Sequence, residues 1–95
     1  MLQVTENAKS KLKEILEKES KFNNDTLRIV YSGSKSNSLQ LIFDQERKDD
    51  RIIVTGKDGK KILVIDPKLA KDTSGMIVDY QLTKEGYGFT IHPMT

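Results

Sequence analysis

Ninety-five residues carry sixteen basic and fourteen acidic side chains, a net charge of only +2. The lysines lie among acids, as in KLKEILEKESK, so no basic block exists to track a phosphate backbone and nucleic acid is excluded as a first partner. No cysteine is present, which rules out disulfides, thiolate metal ligands and thiol nucleophiles within these residues.

The length fits one domain over 1–95, large enough to bury about 60–70% of the unfolded chain's surface without covalent staples. Three tyrosines, three phenylalanines and no tryptophan leave the core to aliphatic residues. The longest apolar runs are about four residues, far short of a membrane span. Met1-Leu2-Gln3 leads straight into helix signals with no secretory core, so a cytoplasmic protein is expected.

Thr5 is the expected N-cap of a helix reaching about Glu19, with Glu6 in its first turn to complement the helix dipole. Ala8, Leu12, Ile15 and Leu16 recur at helical spacing and form one packing stripe, Phe22 closing it or lying just beyond. Glu14 with Lys18 and Glu17 with Lys21 add i,i+4 pairs on the wet face. Asn23-Asn24-Asp25 breaks the helix.

Leu27 to Tyr31 reads as a strand with Leu27, Ile29 and Tyr31 on one face, and Leu39 to Phe43 as another with Leu39, Leu41 and Phe43 aligned. Ser32 to Ser38, SGSKSNS, connects them. Asp44 to Asp50, DQERKDD, reads as a charged loop, after which Arg51 to Thr55 returns as a strand. Asp58-Gly59 predicts a type I′ hairpin into the next strand. There the unbroken run Ile62 to Ile65 predicts a strand covered on both faces, stopped at Asp66-Pro67. After a short polar connection and Gly75, Met76, Val78, Tyr80 and Leu82 alternate with Ile77, Asp79 and Gln81 as in a half-buried strand. These two strands are expected to nucleate one sheet. Tyr87, Phe89 and Ile91 share a face of the last strand, which Pro93 ends.

VIDPK, Gly75, VDY and then GYGF with Pro93 resemble the C-terminal half of the HesB-like A-type iron–sulfur cluster assembly family. VTENAKSKLKEIL and the LRI of Leu27 to Ile29 resemble its opening helix and first strand. The resemblance implies an α+β, mainly β fold: two small twisted sheets forming a flattened pseudo-barrel with the N-terminal helix packed on it. It also implies self-association into a homo-oligomer. The family carries its first cluster cysteine in the loop after that first strand, and Gly33, Ser34, Lys35 and Ser36 stand in its place. Ser34 is the best match for the cysteine and Ser36 the next. A Cys-Gly-Cys pair follows the family's final proline, whereas this sequence ends at Thr95, so all three thiolate positions are missing from it.

Serine is a poor donor to iron beside a thiolate, so no resident cofactor and no metal site are expected. His92 is the only histidine, a weak ligand at best without partners; a strand-end surface role is its ordinary explanation. Asp66 and Asp79 fit turn or strand-end capping. No nucleophile has an adjacent base, so an enzyme is not expected. The resemblance therefore implies an accessory or partner-binding factor of iron–sulfur biogenesis, with assembly proteins or their clients as partners. The alternative is a small binding module that recognises a peptide or anion at the Ser32–Ser38 loop.

Overall fold

A computed structural model describes residues 2–21, 24–31, 39–84 and 86–94, with the side chains of Tyr31 and Leu39 excepted. In chain order the elements are β1 (Gln3–Val4), α1 (Glu6–Glu19), β2 (Asp25–Tyr31), β3 (Leu39–Gln45), β4 (Arg51–Thr55), β5 (Lys61–Ile65), α2 (Pro67–Asp72), β6 (Met76–Thr83) and β7 (Gly86–Pro93). Two mixed sheets result, one of order β3-β2-β5-β4 and one of order β1-β6-β7. One main helix over two small sheets is the α+β, mainly β architecture expected.

The helix forms as its sequence predicts. Thr5 is extended and its hydroxyl accepts the Ala8 N–H at 3.2 Å, while Ala8, Leu12 and Leu16 are buried. The same Thr5 hydroxyl donates to Asp79 Oδ1 at 2.7 Å, and the Thr5 N–H donates to the Val78 carbonyl at 2.9 Å. One cap thus fastens the helix start to β6, across most of the chain.

β5 is the central strand. It lies parallel to β2 and antiparallel to β4, and Ile62 to Ile65 are all at most 5% exposed. A strand flanked on both edges and covered on both faces has no use for polar positions, which explains the unbroken apolar run. However, β5 and β6 do not share a sheet as expected; they belong to different ones. The segment between them is α2, not an irregular polar connection. Asp66 caps it, its Oδ1 accepting the Leu69 N–H at 3.0 Å, and Pro67 occupies the first turn, where its missing N–H costs nothing. The apolar run of β5 and the alternation of β6 mark how each strand is covered but not which strand lies alongside, so patterning leaves the pairing undetermined.

The β4–β5 hairpin is antiparallel as expected, but its turn is not type I′. Among the described residues only glycines have positive φ, so Asp58 does not take the left-handed conformation a type I′ turn needs. Instead the Gly59 N–H donates to the Gly56 carbonyl at 3.1 Å and the Gly56 N–H to the Lys60 carbonyl at 2.7 Å, with Gly59 alone at φ +76°. This is a three-residue loop, a type I turn closed by a left-handed glycine. Leu82, expected on the half-buried face of β6, is 67% exposed because β6 runs past the body of the fold toward its hairpin tip.

Gly59→Ala should lower stability by about 1–2 kcal/mol, the cost of forcing an L side chain into left-handed space. Gly88→Ala, with ordinary φ and no atom within 4 Å of a built Cβ, should be neutral or stabilising. Urea midpoints of the two variants check this, and equal midpoints would contradict the turn assignment.

Candidate functional site

The two sheets part over a cleft of about 180 Å³. Ile29 and Leu41, register partners on β2 and β3, form one wall; Val78, Phe89 and Ile91 of β6 and β7 form the other. Gln40 and Thr90 also line it, and no charged residue is among its described lining residues. Ile29 and Leu41 lie two residues from the Tyr31–Leu39 pair at which the chain leaves β2 and returns as β3. The cleft therefore opens at the root of the serine segment. Gly33, Ser34, Lys35 and Ser36 themselves lie outside the described residues.

His92 is not brought into this cleft. Strand alternation places it opposite in sense to Ile91, and it is exposed, with Nδ1 3.1 Å from the Pro93 carbonyl oxygen. Among the described residues no three of His, Cys, Asp and Glu gather where they could hold a metal ion. An iron–sulfur cluster does not fit the donors described: one exposed imidazole and no thiolate. Asp79 is structural, accepting from the Thr5 hydroxyl at 2.7 Å and the Tyr80 N–H at 2.8 Å. The Thr5 bond is the chief reason its carboxyl is held below the usual range.

Tyr80 is packed among its neighbours. Tyr80 stacks on Tyr87 with ring centroids 5.8 Å apart and tilts against Phe89 at 4.9 Å, while Lys11 Nζ stands 5.5 Å above the Tyr80 ring. Tyr87 nevertheless remains 69% exposed at the far end of the hairpin.

The charged stretch Asp44 to Asp50 is not simply a solvated loop. Asp44 lies in β3, and with Asp50 it holds Arg28, which is only 2% exposed. Arg28 Nη1 and Nη2 donate to the two Asp50 oxygens at 2.7 and 2.5 Å, Nε donates to Asp44 Oδ2 at 2.8 Å, and Nη2 also donates to the Gln45 carbonyl at 3.1 Å. Asp50 Oδ2 accepts the Arg47 N–H at 2.6 Å, so the turn itself is tied to the cluster. The Arg28 hydrogen bond is the leading cause that holds the Asp50 carboxyl below its ordinary value, and the Gln45 N–H plays that part for Asp44. A cation between Leu27 and Ile29, with acids concentrated beyond the next strand, is the available signal.

No protein-family model matches the chain, and no curated protein matches it in sequence. Solved structures do match in fold. The crystal structure of Escherichia coli SufA, involved in biosynthesis of iron–sulfur clusters, superposes with a TM-score of 0.66 at 20% identity, over 97% of this chain and 84% of that one. The crystal structure of IscA with the [2Fe–2S] cluster gives 0.60 at 22% identity, covering 99% of this chain and 83% of that one. The solution structure of a protein from Aquifex aeolicus gives 0.59 at 28% identity, covering 96% and 89%. The resemblance read from VIDPK, VDY and GYGF is thus borne out by the fold.

Asp50→Ala should cost about 3–5 kcal/mol by stranding the Arg28 charge, and Arg28→Met combined with Asp50→Leu should recover most of it. Because Asp50 and Asp44 have lowered folded-state values, their stabilisation is fully present above the ordinary carboxylate value of 3.8 and fades as pH falls through the folded values beneath it. Urea unfolding between neutral pH and pH values below 3.8 should show a steeper acid loss for the parent than for the double variant. Parallel curves would remove the cluster from the acid response.

Proposed function

Starting from a chain that has the HesB-like fold of A-type iron–sulfur cluster assembly proteins, we propose that it is an accessory or partner-binding factor of cluster biogenesis that holds no stable cluster itself. The observation that supports this is a scaffold retained over 97% of the chain in a sequence without one cysteine. Thiolates hold such clusters because sulfur donates charge to iron far better than a neutral hydroxyl does. His92 is exposed and is not among the residues that line the cleft.

The chain works by contact rather than turnover, in the cytoplasm, and its partners are the assembly proteins or their clients. Self-association belongs to the same reading, which the shared fold supports. No helix among the described residues is long and apolar enough to cross a membrane.

Anaerobic incubation with ferrous iron and sulfide, followed by desalting, should leave a colourless protein with far less than stoichiometric iron and sulfide. A retained, coloured cluster would restore a carrier role and sink this proposal. Added to a cluster-loaded scaffold and an apo client, the protein should bind one of them and change the rate of cluster transfer; no binding and no change would remove the accessory role.

A further inference from the structure

β3 and β7 end their respective sheets, so each leaves one side of its backbone ladder unpaired among the described residues. Both line the inter-sheet cleft. Which groups β7 exposes follows from its ladder with β6. The Met94 N–H donates to the Gly75 carbonyl at 3.1 Å, and the register pairs Met76 with Pro93, Ile77 with His92 and so on to Thr83 with Gly86. Antiparallel ladders alternate between bonded and non-bonded pairs, so bonding falls on the pairs containing Ile77, Asp79 and Gln81. Their partners on β7 are His92, Thr90 and Gly88. Tyr87, Phe89 and Ile91 therefore point their N–H and C=O groups outward, and among the described residues no bond from these N–H groups to any other element is present. Pro93, next in that alternation, has no N–H to offer and closes the open edge at its C-terminal end.

We infer that the free edge of β7, from Tyr87 to Ile91, is a docking site for an extended, uncharged segment of another protein that pairs with it as an added strand. Main-chain bonds to Tyr87, Phe89 and Ile91 set its register, and an aliphatic side chain of the segment enters the cleft between Leu41 and Ile91. The cleft's chemistry selects the occupant. Among the described residues its lining has no charge to compensate a buried one, it is large enough for one or two aliphatic groups, and its floor includes Ile29 and Val78, both at most 5% exposed. Strand addition of this type draws affinity from the backbone and specificity from alternate side chains. The inference stands on strand geometry alone and survives if the iron–sulfur reading fails.

The test titrates isotope-labelled protein with the capped, uncharged nonapeptide QTVTVTVTQ. Expected are saturable shifts at the amides of Tyr87, Phe89 and Ile91, slowed hydrogen exchange at the same three, and shifts of the Ile29, Leu41 and Val78 methyl groups. The same peptide N-methylated at alternate residues should bind at least about tenfold more weakly, because it loses the donors on one edge. Ile91→Pro should do likewise while keeping the β6 ladder, since the N–H it removes is not part of that ladder. Shifts confined to Leu82 and the exposed tip would overturn the site. Protection of Phe89 and Ile91 already present without peptide would overturn it too, and if that protection grew with protein concentration the occupant would be a second copy. Undiminished binding of the methylated peptide would rule out strand addition.

Discussion

The parallel pairing of β2 with β5 is the constraint from which the rest of the fold follows. Leu27 against Leu63 and Arg28 against Val64 set the register, and two strands that run the same way cannot be joined by a tight turn. The intervening chain must travel out and back, which it does as β3 and β4, one on each outer side of the pair. β5 is left in the middle with nothing polar to solvate, and the chain can leave it only past Asp66, through α2, into a second sheet. The cleft is the seam between these two consequences.

Arg28 shows how this arrangement is completed on its second side. In a half-buried strand Leu27 and Ile29 would face the core and Arg28 the water. Here Arg28 shares its side of the sheet with Val64, which is itself fully buried, so both faces of β2 are covered at this level. A guanidinium can accept that position because its planar fork meets the Asp50 carboxylate at two points, and two further acceptors, Asp44 Oδ2 and the Gln45 carbonyl, take its other bonds. The acids that serve it come from β3 and from the turn beyond, so one ionic cluster fixes the path of a segment with no apolar residues of its own to anchor it.

Sequence patterning captured what depends on one element at a time. The Thr5 cap, the Ala8, Leu12 and Leu16 stripe, the doubly covered run at Ile62 to Ile65 and the inward faces carrying Ile29, Leu41, Val78, Phe89 and Ile91 all appear as expected. What it missed depends on partners. The capping signal at Asp66-Pro67 was visible, but six helical residues are too few to show a periodicity, so α2 read as a connection. The acids of DQERKDD look solvated until β3 is laid beside β2 and Arg28 comes within reach. Leu82 obeys its alternation and is still exposed, because alternation says which way a side chain points and not whether anything lies over it. Of the candidate site, the cleft walls were legible as strand faces, whereas a groove between two sheets belongs to no single stretch of sequence.

The cap at Thr5 joins residues 74 positions apart through its bond to Asp79, and β1 pairs in parallel with β6, Gln3 against Ile77. During synthesis the first helix therefore leaves the ribosome well before the strand it docks on exists. Its stripe of Ala8, Leu12 and Leu16 must wait, uncovered on that side, until β6 and β7 have emerged. Closing so long a loop is entropically costly before it is rewarded, which makes the joining of the chain's two ends a late event in folding. A chain that had emerged from the ribosome only as far as Gly75 would hold all four strands of the larger sheet and an N-terminal helix that still lacks its anchor.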